Sequence, residues 1–400
     1  MGKANRQRAA SLTALAAIIV SATFGARASN SLIPSYTQLL GNEFGFNATE
    51  LGLLAVSFMA SSFVASALIN ARLPSTTRRK YFIASAAAYA VTYAMFYLVN
   101  PVLIWPVMVI AGLTMGPIMP NIMTSAGSVE GQRERERLLA LYTLTLSVSL
   151  LIAQSIGGVI IRYVSVREGF LLLEPLAAMV AISAPFLPFH QEPQVGRSHG
   201  QTVRPRDIIG NEGFIASVLN NLTYQVPFSY LTAFAAVYVI HQFGAKGWLG
   251  VLAYAPFYAT SLLSRLVMTL SPPRNIVRDM IIAASLSLVG LVSAWASNNL
   301  LTFYLAMAVL GIPHGMTYTL SVIAISRTFE RDKLNAANSY FFSIMMIIGS
   351  LLPALLGSIA DRVGYRNTFL VIAPIVLVIL LLTLAFATKA KTLRSPSVRP

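Results

Sequence analysis

The 400-residue sequence has no cysteine and little charge. Without cysteine there is no disulfide, no thiolate metal site and no cysteine nucleophile. Charged residues are 11% of the chain and hydrophobic residues 56%, where an average soluble domain carries about a quarter charged residues. A globular chain of this length cannot cover its exposed area with so few charges. That excludes a soluble enzyme, a disordered protein and a coiled coil as the main body. Acidic residues are scarcest, 14 against 29 Lys plus Arg, for a formal net charge of +15. No P-loop, His-Glu-x-x-His, nucleophile elbow or metal-ligand cluster occurs. Neither catalysis nor a cofactor nor a metal is expected.

What the sequence has in quantity is apolar runs of about 20 residues, the length an α-helix needs to cross a bilayer. Twelve spans are read, at 12–38, 48–70, 81–99, 102–125, 138–161, 168–189, 213–240, 248–270, 276–297, 300–326, 336–357 and 366–388. The expected fold is an all-α membrane protein, with transmembrane helices in two six-helix bundles, 1–189 and 213–400. The polar stretch His190–Glu212 reads as a cytoplasmic linker between them. The apolar run after the basic N-terminus lacks a small-residue cleavage site, so it reads as a retained span. With a cytoplasmic N-terminus, 23 of the Lys and Arg residues fall on inner segments, 5 on outer ones, and Arg27 inside a span. That bias places both termini in the cytoplasm, in the plasma (inner) membrane. The basic excess is spread over every inner loop, so it points to membrane topology and not to a nucleic-acid partner.

The halves repeat each other. Gly112-x-x-x-Gly116 is answered by Gly311-x-x-x-Gly315 and Phe44-Gly45 by Phe243-Gly244, both at an offset of 199. Gly157 and Arg162 match Gly357 and Arg362 at 200, and Arg167, Phe170 and Pro175 match Arg366, Phe369 and Pro374 at 199. Two similar bundles with an even number of spans each imply a pseudo-twofold axis along the membrane normal. With this repeat the chain resembles the major facilitator superfamily over essentially its whole length. Gly357-Ser-Ile-Ala-Asp361-Arg362-Val-Gly364-Tyr365-Arg366 is similar to the family's loop signature. The usual place of that signature, between spans 2 and 3, holds Asn70-Ala71-Arg72-Leu73, with alanine where the pattern has Asp. Its repeat partner, Leu263-Ser264-Arg265-Leu266, lacks the Asp too. The resemblance implies a monomeric secondary transporter of a small-molecule substrate, with spans 1, 4, 7 and 10 lining a cavity and Arg72, Arg265, Asp361 and Arg362 as gating residues.

Ionisable groups within spans are costly unless paired or hydrated, so each is a candidate for function. Arg27 lies about 15 residues into the first span, too deep to snorkel easily. Asn30 and Ser31 share its face, and Gly25 and Pro34 bracket the segment. Its guanidinium fork suits a carboxylate or phosphate. An interhelix structural bond is the plainer alternative. Some organic-anion members of the family have a similar Arg-Asn-Pro arrangement in span 1. Asn221, Tyr224 and Gln225 form one face of span 7, as substrate contacts or as interhelix glue. His314 is about 14 residues into span 10, with Tyr318 one turn on. It is read as a proton carrier, a substrate contact or a packing residue. Glu174 in span 6 is a coupling candidate, set against structural pairing with Arg167. The expected activity is proton-coupled transport of an organic anion. Efflux of lipophilic drug-like compounds, with Tyr254, Tyr258 and Tyr318 as an aromatic lining, is the alternative.

Overall fold

The computed structural model describes residues 3–127, 132–188, 205–271, 273–329, 331–390 and 393. In chain order its helices are α1 (Lys3–Glu43), α2 (Ala48–Phe63), α3 (Ser75–Met95), α4 (Ile104–Met115), α5 (Ile118–Gly127), α6 (Gln132–Tyr163) and α7 (Val166–Ser183). These are followed by α8 (Pro205–Ile209), α9 (Glu212–Phe243), α10 (Gly247–Leu252), α11 (Tyr254–Leu270), α12 (Ile276–Ala296), α13 (Leu300–Thr328) and α14 (Arg331–Lys389). No strand occurs among the described residues. Helix starts follow local chemistry. Asn211 accepts from the amides of Gly213 and Phe214 to cap α9, and Asn299 forms a reciprocal cap with Thr302 at α13. Gly244, at φ 59°, ends α9 in the left-handed region that favours glycine.

Among the described residues, eleven helical stretches are long and apolar enough to cross a membrane. The difference from twelve lies in α14, whose 59 residues contain both of the last two expected spans. At about 1.5 Å per residue such a helix would be nearly three bilayer cores long if straight. Gly364, at φ 82° and ψ 156°, breaks it. Of the expected linker, residues 190–204 lie outside the described residues; α8 and the cap of α9 occupy the remainder.

The chain divides into two compact units, Met1–Gly45 with Leu54–Gly196, and Phe46–Leu53 with Arg197–Pro400. Within the first, α1 packs on α6 and α7. The Tyr36 hydroxyl donates to the Gly157 carbonyl at 2.9 Å, and the Gln154 amide donates to the Ser31 carbonyl at 2.6 Å. Within the second, α9 packs on α14, and the Tyr230 hydroxyl donates to the Tyr365 carbonyl at 2.6 Å. Also in the second unit, Asp361 accepts from the amides of Ala48 and Thr49, each at 2.8 Å, and from the Thr49 hydroxyl. This carboxylate complements the positive end of α2.

Each unit contains a helix pair that a repeated pair of glycines presses together to backbone contact. A Cβ placed on Gly112 would meet the Phe58 carbonyl oxygen at 2.3 Å, and one on Gly116 the Ser62 carbonyl oxygen at 2.4 Å. In the second unit, a Cβ on Gly311 would meet the Phe257 carbonyl oxygen at 2.0 Å, and one on Gly315 that of Ser261 at 2.4 Å. Phe58 and Phe257, and Ser62 and Ser261, stand 199 positions apart, as do the glycines. The sequence repeat is thus a repeat of one contact, α2 on α4 and α11 on α13. Gly112→Ala and Gly311→Ala should each destabilise the protein by about 1–3 kcal/mol, the usual cost of overpacking. Thermal unfolding in detergent measures it, and an unchanged midpoint would mean that the backbones separate freely.

Candidate functional site

In the first unit the polar face of α1 runs through Thr23, Arg27 and Asn30, spaced i, i+4 and i+7. Arg27 is half-buried. Among the described residues it has no carboxylate or other hydrogen-bonding partner. The Thr23 hydroxyl oxygen and the Asn30 side-chain oxygen are buried on either side of it, likewise without partners. Pro34 lacks the N–H that would bond the Asn30 carbonyl, so the backbone there is also short of one bond. Ser31, by contrast, is used in structure: its hydroxyl bonds the Ala28 carbonyl at 2.8 Å and its own carbonyl takes Gln154. Sequence reasoning missed Thr23, although its i−4 spacing from Arg27 was a usable signal.

Glu174 is half-buried on α7 and makes no ion pair with Arg167 among the described residues. Arg167 instead lies over the Phe44 ring at 5.5 Å and within electrostatic range of Glu43.

The second unit gathers most of the other candidates. His314 Nδ1 lies 2.7 Å from the Ser261 hydroxyl. Around its imidazole stand Phe228 (ring centroids 4.8 Å apart, stacked), Phe257 (5.1 Å), Tyr224 (5.2 Å) and Tyr258 (5.9 Å). Tyr224 is 6% exposed, and its hydroxyl is buried without a hydrogen-bond partner among the described residues. Asn221 donates to the Met345 sulfur at 2.9 Å, and Gln225 reaches only the Ser229 hydroxyl, at 3.5 Å. Tyr318 is the most open of the set, at 42%, with its ring near Phe341 and Phe342.

Two other polar groups are structural. Asn220 ties α9 to α13 through the Thr317 carbonyl and the Ser321 hydroxyl, and the Tyr254 hydroxyl bonds the Leu231 carbonyl at 2.6 Å. Among the loop-motif residues, Arg72 and Arg362 are exposed, Asp361 caps α2, and Arg265 is half-buried on α11. No group of three or more metal-ligating side chains occurs among the described residues.

The Tyr224 hydroxyl and the Ser261–His314 bond make opposite predictions for stability. Tyr224→Phe should raise thermal stability, by about 1–3 kcal/mol, since it removes a buried hydroxyl that has no hydrogen bond to lose. Ser261→Ala should cost about 0.5–1.5 kcal/mol by removing a buried hydrogen bond to the imidazole. Thermal melts of the two variants test this; an equal loss in Tyr224→Phe would show that its hydroxyl holds the fold together.

The family model described as Major Facilitator Superfamily matches residues 13–277 and 277–400. No curated protein sequence matches the chain. Among solved structures it is similar to a bacterial homolog of the human lysosomal transporter Spinster, in an inward-facing and unoccupied conformation. That likeness has a TM-score of 0.76 at 12% identity, over 97% of this chain and 99% of that one. It is also similar to the nucleoside transporter NupG, with a TM-score of 0.68 at 14% identity over 94% of this chain and 98% of that one. These likenesses are of fold. The family model covers nearly the whole chain, and with it the apolar helices identify an integral membrane protein that transports small solutes and is not an enzyme: the chain belongs to the Major Facilitator Superfamily.

Proposed function

We propose that the protein is a secondary active transporter of a small organic anion, working by alternating access and coupled to protons. The observation that carries this reading is Arg27, a half-buried cation flanked by two buried oxygens that lack partners. A guanidinium in a low-dielectric span attracts a carboxylate or phosphate strongly and binds it through two parallel hydrogen bonds. Asn30, with Asn221, Tyr224, Gln225, His314 and Tyr318 of the second unit, supplies further substrate contacts. His314 is the first candidate for the coupling proton, since imidazole exchanges protons near neutral pH, and Glu174 is the second. In this reading residues 1–189 and 213–400 are the two bundles and 190–212 the cytoplasmic linker. Arg72, Asp361 and Arg362 govern access from loops, in a single polypeptide with both ends in the cytoplasm of a plasma (inner) membrane.

A second reading, efflux of lipophilic compounds by exchange, is favoured by one observation: the ring cluster of Tyr224, Phe228, Phe257 and Tyr258 around His314. Against cationic drugs stands Arg27, which would repel them in a low-dielectric surrounding.

Uptake of labelled organic anions into vesicles holding the purified protein, with an inward proton gradient, tests the proposal. Arg27→Ala should abolish uptake. Arg27→Lys should lower it at least tenfold, since an ammonium cannot form the paired bonds. Full uptake of every transported anion by Arg27→Ala would sink the anion assignment, and uptake indifferent to the gradient would sink the coupling.

A further inference from the structure

The first turns of α3 and α12 are counterparts in the repeat, yet they use their arginines differently. Arg79 corresponds to Arg278 and Phe82 to Ile281, both at the offset of 199. In the first unit the arginines are tied to the fold. Arg78 donates to the Leu73 carbonyl at 2.9 Å and Arg79 to the Pro185 carbonyl at 3.0 Å. Phe82, one turn on, is fully buried.

The second unit leaves positive charge open at the same place. Arg274, just before α12, is exposed and has no hydrogen-bonding partner among the described residues. Arg278 is exposed too, and its Nε donates to Asp279 at 3.1 Å. Its two terminal nitrogens make no bond among those residues. Arg327, at the end of α13, donates through one terminal nitrogen to the Pro273 carbonyl at 2.8 Å, which holds its guanidinium against the turn beside Arg274. The other terminal nitrogen is buried without a partner there. Three guanidinium groups thus meet at one turn, with Asp279 as the carboxylate that answers them.

Lipid-facing surface begins directly below. Ile281 and Ile282 are i+3 and i+4 from Arg278, on its face of α12, and Ile281 is 37% exposed where its counterpart Phe82 is buried. The exposed stripe continues through Val289 to Val292. From Ile281 to Val292 it runs about 16 Å, close to the roughly 15 Å of one leaflet's hydrocarbon. Helical side chains lean toward the N-terminus, so the Arg278 head lies above this stripe, where acyl chains give way to phosphates. Net charge then selects the lipid. A zwitterionic headgroup brings its own cation into a field that is already positive. A net-anionic one does not, and basic pockets between helices take headgroups of that kind.

We propose that the turn from α11 to α12 is a binding site for one anionic phospholipid. Arg274 and Arg278 hold its phosphate in the field of Arg327, and an acyl chain lies along the Ile281–Val292 stripe. The site is contained in the second unit and is independent of the transported substrate.

The test is native mass spectrometry of the full chain in a neutral detergent, titrated with phosphatidylglycerol or with phosphatidylcholine of the same chains. Wild type should take up its first phosphatidylglycerol at least tenfold more tightly than phosphatidylcholine. Arg274→Gln and Arg278→Gln should each lower that preference about fivefold, and the double variant should abolish it. Arg79→Gln, at the counterpart turn, should leave it unchanged. Glycerol phosphate at millimolar concentration should not displace the lipid. Gel filtration identifies any variant that does not fold, and the remaining Arg274 or Arg278 variant then decides. A wild type without the preference overturns the proposal, as does a preference that survives in the folded variants. An equal loss in Arg79→Gln would mean general attraction to a basic surface, and the site assignment falls. Displacement by glycerol phosphate would make this a site for soluble phosphates, and the lipid assignment falls.

Discussion

Helices that touch backbone to backbone set the terms for everything else in this chain. Between apolar helices in lipid there is little hydrophobic drive to associate, because the surroundings are as apolar as the side chains. Close packing must supply the attraction, and it is greatest where no side chain separates the two axes. Gly112 and Gly116 provide that on α4, and Gly311 and Gly315 on α13. In the second unit the proximity adds bonds as well: Thr260 donates to the Ala308 carbonyl at 2.7 Å and Ser264 to the Ile312 carbonyl at 3.1 Å. Such bonds from α11 to carbonyls of α13 form only because the backbones lie so close.

Against that background, the polar groups inside the helices sort by whether the fold uses them. Tyr36, Tyr230, Tyr254, Asn220 and Gln154 all give hydrogen bonds to carbonyl oxygens of another helix or of a distant turn of the chain. Thr23, Asn30 and Tyr224 have oxygens without a hydrogen-bond partner among the described residues, as does the amide oxygen of Asn220 on the far side of its bonded nitrogen; the first three make no other side-chain hydrogen bond there. An unpaired polar group in an apolar interior is expensive, and all three stand beside a half-buried arginine, on its own helix face or within its electrostatic reach. The Tyr93 hydroxyl is also buried without a partner among the described residues, in the aromatic core of Tyr89, Phe96 and Phe170. An unmet donor alone is a weaker indication than one paired with a charge.

Much of the architecture was readable in the sequence because apolar length and glycine spacing are local properties. The offset of 199 located the paired glycines, though not their purpose, which appears only when Phe58 and Phe257 are seen to oppose them. Arg27 was legible because a charge within an apolar run is conspicuous. Arg265 fell within the expected span 248–270, which ends where α11 ends, yet the loop-motif resemblance set it aside as a gating residue. Asp361 was recognised as part of a loop signature, yet its partners, Ala48 and Thr49, lie more than 300 positions away, and no local pattern connects them. The break at Gly364 falls in the gap between the expected spans 336–357 and 366–388, but its abruptness was not legible: the chain stays helical on both sides of one glycine at positive φ.

At the shared offset of 199, Ser66, Met115 and Met119 stand against Arg265, His314 and Tyr318, a mismatch that bears on how such a protein can change over evolutionary time. A duplicated bundle inherits two copies of one scaffold, and the scaffold's integrity resides in glycines and carbonyls that side-chain chemistry leaves alone. Each copy is then free to acquire its own chemistry. The second carries charge and an imidazole, while the first has small and sulfur-containing side chains at the same crossing. Those positions form a reserve in which new ligand preferences can arise by single substitutions, with the architecture already secured.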